Sequence, residues 1–391
     1  MNDEASAPIA ELSAHADTAA AGAVLTWLIA AAGRAPSGDN TQPWQMTPCL
    51  DPLAIDFYLD PARDLSPMNA GQRMALIACG AAIQNVLLLA RERGYNPRLS
   101  LKSAADFSTS PQLIARITLT EPLRPTACDH AERTILERVC NRRLYDARTV
   151  SPLILAELKQ ATPATHGIQT HWIADPPVLD SLASFVGDAD RIMFGERSMR
   201  SAFLANVRFD LPPHARATEG LPLGSLEISK AQGAGMRAIG ACPDMVFRAA
   251  GGAAMFAAHA RKLIRSASGL CLIAADSVAD HADLRAGQAL QRAWLTLTEL
   301  GLAAQPMMSL LVLDNALRRG DHALAMRLAQ RGAPVVVSDF HEAVRLLGLD
   351  GQPRFLLRFG YAAAPSGRMG RLGDRSERGD RGDRCEGEVG A

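Results

Sequence analysis

The sequence predicts an α+β protein built from two duplicated halves. Long, alanine-rich helical segments and short apolar or alternating strands follow one another along the 391 residues. A helix that ends at Gly94 and another that ends at Gly301 carry matching residues at a constant spacing of 207 positions. Without a polar C-terminal tail, each half would contain about 180 residues, which is an ordinary domain size.

The repeat aligns residues 79–94 with residues 286–301. The matching pairs are Gly80 and Gly287, Ala82 and Ala289, Gln84 and Gln291, Leu88 and Leu295, Glu92 and Glu299, and Gly94 and Gly301. Small residues at the start of both helices predict that the two helices approach each other closely. The alternative interpretation is a chance similarity between two alanine-rich helices.

The first half is predicted to run from residue 19 to residue 125, after a loose leader at 1–18. Its helices and strands follow from apolar periodicity and from glycine at helix ends. They are a helix over 18–33, a polar loop over 34–44, a strand over 54–59, the central helix over 68–94, and strands over 98–102 and 113–120.

The second half is predicted to cover residues 126–365. Its helices are predicted over 130–138, 151–162, 179–204, 252–266 and 283–301, and its strands over 169–174, 270–275 and 355–361. Prolines and glycines predict an irregular stretch over 210–252. Residues 366–391 are rich in Gly-Asp-Arg and poor in apolar residues, so a disordered tail is expected there.

Composition excludes several classes of function. The chain has 41 basic and 41 acidic residues, which argues against a general nucleic-acid or membrane-coating surface. The acidic N-terminus lacks a signal-peptide pattern, and the apolar run at 19–32 is too short to span a bilayer. The seven cysteines are scattered and contain no CxxC pair, so neither a disulfide framework nor a metal site is expected. We therefore expect a cytoplasmic protein.

The first chemical motif is the loop Pro36-Ser37-Gly38-Asp39-Asn40-Thr41-Gln42-Pro43-Trp44. It places backbone N–H groups, a hydroxyl and side-chain amides within a short span. Such a set can bind the polar edge of a planar heterocycle, with the tryptophan as an apolar wall. The alternative is a turn in which Ser37 and Asp39 only satisfy backbone groups.

The second motif is the arginine element of residues 138–146. Arg138 and Arg142 are four residues apart, so in helical geometry they share a face. Two guanidinium groups directed at one point suit a phosphomonoester. The alternative is a solvated basic turn that pairs with the acidic residues Glu132, Glu137 and Asp146.

Together, the Pro-Ser-x-x-Asn-x-Gln-Pro-Trp loop and the arginine element resemble the nitroreductase superfamily of FMN-binding proteins. The loop precedes the arginine element here, which is the reverse of the usual order. That order is similar to the fused, tandem branch of the superfamily, the Acg-like and MoeY-like proteins, in which one chain looks like a nitroreductase dimer. Residues 301–306 and 358–362 are also similar to that branch.

The resemblance implies a nitroreductase-like fold, with mixed, mostly antiparallel sheets and long central helices in a pseudo-dimer that holds one FMN between its halves. It implies a cofactor site made of Arg138, Cys140 and Arg142 for phosphate and ribityl oxygens, Pro36, Ser37, Asn40 and Gln42 from the loop, Gln305, Met308 and Ser309 near flavin N5, and Arg368 or Arg371. Cys140 departs from the family pattern because a thiol is a weaker donor than a hydroxyl.

The activity that the resemblance implies is hydride transfer from NAD(P)H through FMN to a nitroaromatic, a quinone or a biosynthetic intermediate. Flavin chemistry of this kind needs few protein acids or bases, so no catalytic side chain is assigned. Two alternatives stay open: an FMN-sequestering protein with little reductase activity, and a pathway-specific flavin dehydrogenase or oxidase. A lid at about 197–261 distinguishes them, unless that segment is only a helical cap. The chain is expected to be a monomer or a homodimer.

Overall fold

The computed structural model describes residues 7–102, 110–120, 130–212, 215–276, 279 and 281–372. The first half forms α1 (Ala7–Ala32), β1 (Trp44–Leu50), β2 (Leu53–Leu59), α2 (Arg73–Glu92), β3 (Asn96–Leu101) and β4 (Gln112–Thr120). The second half begins with α3 (His130–Glu137), α4 (Pro152–Ala161), β5 (Ile168–Ile173), α5 (Pro176–Gly195), α6 (Arg197–Ala205), β6 (Val207–Arg208) and β7 (Leu221–Pro222). It continues with α7 (Lys230–Ala241), α8 (Asp244–Ala249), α9 (Gly252–Arg265), β8 (Gly269–Ala275), α10 (Ala282–Glu299), β9 (Ala303–Pro306), α11 (Ser309–Arg319), α12 (His322–Gln330), α13 (Ala333–Leu346) and β10 (Gln352–Gly360).

Each half contains one four-stranded antiparallel sheet, which confirms the α+β prediction. The strand orders are β1-β2-β4-β3 and β5-β8-β10-β9. Leu357 of β10 lies opposite Cys271 of β8 on one side and Pro306 of β9 on the other. The sequence also predicts that residues 355–361 supply an edge strand to the opposite half, and this prediction is wrong because β10 is an interior strand of the second half's own sheet. Eight of the nine residues of β10 are buried, as expected of an interior strand with both faces covered.

The sheet of the second half lies between two apolar layers. All seven residues of β8 are buried. One face of the sheet packs on a cluster that includes α5, α9 and α11, and the other packs on a cluster centred on α10. A strand that is covered on both sides needs apolar residues at every position, which explains the unbroken apolar sequence of β8.

The two central helices α2 and α10 cross at Gly80 and Gly287, and this confirms the predicted close approach. A Cβ atom on Gly80 would overlap the carbonyl oxygen of Leu284, and one on Gly287 would overlap that of Ile77. Next to the crossing, Gln291 Nε2 donates a 2.7 Å hydrogen bond to the Oδ1 atom of a buried asparagine, Asn85. The small residues of the repeat therefore join the halves along one helix pair.

One described helix, Pro67–Glu92, is long and apolar enough to cross a membrane by length and composition alone. In this fold, 83% of its apolar window is buried. The segment includes α2, which lies in the core of the first half and against α10. Its hydropathy is therefore accounted for by packing within the protein.

Two predictions about secondary structure need correction, and several elements were not predicted. Helix α1 begins at Ala7, so part of the predicted leader is helical, whereas residues 1–6 lie outside the described residues. The stretch 210–252 contains α7 and α8 instead of being irregular throughout. In α7, Gly233 packs against Leu223, so this glycine allows close contact and does not interrupt the helix. Strand β1 and helices α11 to α13 were not predicted.

Candidate functional site

A cleft of about 350 Å³ lies between the two halves. Its walls are mostly apolar and include six methionines and four phenylalanines, namely Met68, Met74, Met193, Met236, Met307, Met308, Phe194, Phe203, Phe256 and Phe355. Ten polar side chains also face it, namely Ser37, Asp39, Asp64, Ser66, Asn69, Arg142, Asp190, His259, Gln305 and Ser309. An apolar cleft with a small number of polar groups suits a planar organic molecule held by a few directed contacts.

The loop at 36–44 shapes one end of this cleft. The Ser37 hydroxyl oxygen accepts a 3.0 Å hydrogen bond from the backbone N–H of Gln42. Asp39, Asn40 and Gln42 have φ angles of 45°, 60° and 50°, in the left-handed region that short polar side chains tolerate best. Pro36 and Ser37 line the cleft. Ser37 thus closes the turn, as in the alternative interpretation, while the loop also faces the cleft.

Asn40 and Gln42 hold other parts of the chain and do not line the cleft. Both side chains are 2% exposed. Their amide nitrogens donate to the carbonyl oxygen of Thr218, at 3.2 Å from Asn40 and 2.7 Å from Gln42. Gln42 Oε1 also accepts a 3.1 Å bond from the backbone N–H of Leu372. These two amides fasten the lid (residues 197–261) and the C-terminal segment (residues 361–372) to the loop.

The arginine element is not helical at the predicted arginines. Helix α3 ends at Glu137, so the prediction that Arg138 and Arg142 share a helical face is wrong. Arg142 lines the cleft and donates a 2.8 Å bond to the Ser225 carbonyl oxygen in the lid. Arg138 instead donates to the Arg34 carbonyl oxygen at 2.8 Å, just before the loop. The two guanidinium groups therefore do not converge on one point: Arg142 faces the cleft and binds the lid, whereas Arg138 binds the backbone before the loop.

Arg138 forms a buried cationic pair with Arg371. Both residues are 8% exposed, and both donate to the Arg34 carbonyl oxygen. Among the described residues, Arg138 has no carboxylate within salt-bridge distance and its Nε atom has no hydrogen-bond partner. Burial, reinforced by the charge of Arg371, lowers the pKa of Arg138 to about 9. Arg368, the other C-terminal candidate, is exposed and donates to the Leu136 carbonyl oxygen at 3.3 Å.

Gln305 is held in the cleft wall by a buried arginine. Its Oε1 atom accepts a 2.8 Å hydrogen bond from Arg358 Nε, and Arg358 is fully buried. This bond fixes the orientation of the amide group. The N–H groups of the Gln305 amide nitrogen can then donate hydrogen bonds to a ligand. Cys140 forms an isolated parallel bridge with Ala304, beside Gln305, and its thiol lies in the core cluster around α10.

Met308 and Ser309 line the cleft at the start of α11, as predicted for a segment that faces a ligand. His259 of α9 lines the opposite wall. Burial and the neighbouring charges of Arg358 and Lys262 lower the pKa of His259, so its imidazole is neutral near pH 7. The other candidate histidine of the lid, at position 214, lies outside the described residues.

Three carboxyl groups line the cleft, and two of them, Asp64 and Asp190, are not indicated by the sequence motifs. Burial raises the pKa of Asp64 and of Asp190 to about 7, and it also raises the pKa of Asp39. The negative charge of Asp39 adds to the effect on Asp64. The three residues come from three separate parts of the chain, so no motif or spacing could have indicated that they meet.

Replacing Asp190 with asparagine should stabilise the protein more at pH 8 than at pH 5. The carboxyl group ionises near pH 4 in the unfolded chain and only near pH 7 in the folded protein. Its ionisation therefore lowers the free energy of unfolding as the pH rises through that range. After allowance for solvent in the cleft, we expect the gain to grow by about 1–2 kcal/mol. Urea unfolding of both proteins at the two pH values measures it, and a gain that does not change with pH would contradict the burial argument.

Sequence comparison supplies relatives along most of the chain, although no family model matches it. An uncharacterized protein of Mycobacterium tuberculosis (strain CDC 1551 / Oshkosh) is 26% identical over 352 residues, which is 86% of this chain and 45% of that relative. The chain thus spans less than half the length of this relative. A "Putative NAD(P)H nitroreductase" of the same strain is 23% identical over 337 residues, covering 84% of this chain and 82% of the relative.

The similarity to this relative supports the predicted resemblance to the nitroreductase superfamily. The match covers 84% of the chain, so it extends into both halves. An FMN-dependent nitroreductase from Mycobacterium smegmatis, solved in complex with NADPH, is 16% identical and covers 60% of this chain and 88% of its own at a TM-score of 0.31. A score this low adds nothing to the assignment to the nitroreductase superfamily.

Proposed function

We propose that this protein binds FMN in the cleft and acts as an oxidoreductase that delivers hydride from NAD(P)H to a small organic acceptor. The observation that carries the proposal is the position of Arg142 in the wall of an apolar cleft between the halves. The proposed unit is a pseudo-dimer of residues 19–125 and 126–365, of the tandem branch, acting in the cytoplasm as a monomer or homodimer.

The residues fit FMN in charge and in shape. A phosphomonoester carries nearly two negative charges, and it needs guanidinium groups that have no carboxylate partner of their own. Arg142 meets this requirement, because it lines the cleft and forms no ion pair with a carboxylate among the described residues. Arg138 does not line the cleft, but its buried Nε atom has no hydrogen-bond partner among the described residues. The thioether and aromatic walls suit the flat ring system of a flavin, which presents polar atoms only at its edges.

Each predicted site residue receives a role in this proposal. Arg142 binds the phosphate directly, and the Arg138–Arg371 pair adds positive potential. Pro36, Ser37, Gln305, Met308 and Ser309 form walls and donors of the cleft, whereas Asn40, Gln42 and Cys140 hold those walls in place. Arg368 remains at the surface. When bound, FMN supplies the hydride chemistry, and the protein binds, orients and shields it from water.

Sequestration of FMN is a second candidate function. It is favoured by the contacts of Asn40 and Gln42, which fasten both the lid and the C-terminal segment to the loop. A cleft closed in this way would retain FMN and exclude a second substrate. The two functions differ in one measurement, because only the oxidoreductase lets NAD(P)H bleach the bound flavin under anaerobic conditions.

Replacing Arg142 with alanine should weaken FMN binding by about 1.5–3 kcal/mol, the range of a charged hydrogen bond. The purified wild-type protein should take up FMN and show a bound-flavin visible spectrum, and titration with FMN measures the loss. Arg143→Ala is the matched control, since Arg143 pairs with Glu227 at 3.5 Å and does not line the cleft. Equal FMN affinity of the wild type and the Arg142 variant would contradict the phosphate assignment.

A further inference from the structure

Asp190 lies on the side of α5 that forms one wall of the cleft. Met193 and Phe194 follow it by three and four residues, so the three side chains share one helix face. All three line the cleft. Ser309, at the start of α11, lines the same cleft, and its hydroxyl group is close enough to the Asp190 carboxyl group to favour the ionised form. This carboxyl group is therefore presented to a ligand from within an apolar wall.

Asp190 has no cationic partner among the described residues, unlike other acids of the same helix. Asp180 pairs with Arg265 at 2.6 Å, and Asp188 pairs with Arg261 at 2.9 Å. Asp180 is exposed, whereas Asp188 is half-buried. A carboxyl group in an apolar wall is costly to ionise unless a positive charge is brought to it. A ligand that carries such a charge would offset this cost.

The other ionisable groups that line the cleft do not supply this charge. Asp39 and Asp64 are themselves acids, and His259 is neutral near pH 7. Arg142 is the one arginine among the cleft-lining residues, and in the proposed function it is neutralised by phosphate. With the cofactor bound, the charges left in the cleft are carboxyl groups. Anionic acceptors are therefore disfavoured, and cationic ones are favoured.

Aromatic faces surround the position of Asp190. The Phe194 ring stacks on the Phe256 ring at a centroid distance of 4.0 Å and meets the edge of Phe203 at 5.4 Å. Faces of phenylalanine rings attract organic cations, and the effect increases when water is excluded. The same rings and the thioether of Met193 provide contact for an aromatic body. A carboxyl group next to an aromatic cluster is the arrangement that recognises an ammonium group on an apolar molecule.

We propose that the cleft selects an aromatic acceptor that carries a protonated amine, with Asp190 as the counter-ion of that amine. The inference rests on the proposed function, because it assigns the acceptor class for the same cleft. It makes Asp190 a specificity-determining residue, and it excludes carboxylate-bearing aromatics of the same size as preferred ligands.

Binding of three matched probes to the FMN-loaded protein tests the proposal. The probes are 4-nitrobenzylamine, 4-nitrobenzyl alcohol and 4-nitrobenzoate, titrated at pH 8 by calorimetry. We expect the amine to bind about tenfold more tightly than the alcohol, and the benzoate to bind most weakly. In Asp190→Asn the amine and the alcohol should bind equally, with the alcohol unchanged, whereas Asp190→Glu should restore part of the preference. The surface variant Asp180→Asn should behave as the wild type does.

The pH dependence provides a second readout. Since the pKa of Asp190 is about 7, amine binding should strengthen by about tenfold between pH 6 and pH 8 while alcohol binding stays constant. Asp39, Asp64, Arg142 and His259 also face the cleft, and Asp64 titrates in the same range. Loss of the amine preference in Asp64→Asn but not in Asp190→Asn would overturn the assignment to Asp190.

Failure of this proposal and failure of the proposed function give different results. If the protein retains FMN but binds all three probes equally, or prefers the benzoate, the amine proposal is overturned and the flavin function stands. If the protein takes up no FMN, the flavin function fails. The same titrations on the flavin-free protein then decide the amine proposal, which requires the preference and its loss in Asp190→Asn.

Discussion

Valine in place of Gly80 or Gly287 is expected to prevent the two halves from packing, with a loss of more than about 4 kcal/mol in the free energy of unfolding. The obstacle is backbone, because the first added carbon would already overlap the carbonyl oxygen of Leu284 or of Ile77. A flexible side chain can turn away from a clash, but a helical carbonyl group can move only if the whole helix shifts. Since α2 and α10 join the two sheets, such a shift would also open the cleft.

Denaturant unfolding and flavin content measure the effect of these valine substitutions. Gly235→Ala is the matched control, since Gly235 is also helical but has no neighbour within 4 Å of an added Cβ. Alanine there should stabilise the protein by about 0.5–1 kcal/mol through helix propensity. If Gly80→Val folded as stably as the wild type and retained flavin, the proposed crossing of α2 and α10 would be incorrect.

Methionine in place of Arg358 is expected to cost about 3–5 kcal/mol of stability and to reduce flavin binding as well. Arg358 is fully buried and donates to Gln305 Oε1 at 2.8 Å, to the Leu263 carbonyl oxygen at 3.0 Å and to the Arg143 carbonyl oxygen at 2.6 Å. Its guanidinium group also lies 3.7 Å from the centroid of the Tyr145 ring. Methionine has similar length but no donors, so three buried oxygens lose their partner.

Two further variants separate the geometry of Arg358 from its charge. Arg358→Lys keeps the charge but lacks the planar fork of donors, so most of the loss should remain. Arg345→Met removes an exposed arginine that pairs with Glu342, and it should change stability by less than about 1 kcal/mol. Urea unfolding and FMN titration are the measurements. Full recovery in the lysine variant would show that charge alone, and not the three directed bonds, is what this site requires.

Local signals in the sequence accounted for much of the architecture. Glycine at the helix ends, proline and serine at the start of α4, and the apolar runs of β2, β4 and β8 predicted those elements close to their observed positions. Such signals depend on neighbours a few residues away, so they can be recognised in the sequence without knowledge of the tertiary structure. The prediction was wrong where they conflict with packing, as in α7, where Gly233 and Gly240 allow close contact with Leu223 and Leu204.

The candidate site was only partly predictable. The loop and the arginine element are contiguous, so their residue types could be recognised in the sequence. The direction of each side chain could not be recognised, and Asn40 and Gln42 turned out to hold the lid and the C-terminal segment. The pairing of Arg138 with Arg371 joins residues more than 200 positions apart, and no spacing rule covers such a distance.

The sequence by itself indicated the resemblance to the nitroreductase superfamily and determined the small residues that let the central helices meet. Only the tertiary structure decided which arginine faces the cleft, that β10 is an interior strand, and that Asp39, Asp64 and Asp190 share one apolar cavity. The physical reason is that helix, strand and turn preferences are set by local backbone and side-chain sterics. Burial, charge pairing and shifted pKa values instead arise between residues that only the folded chain brings together.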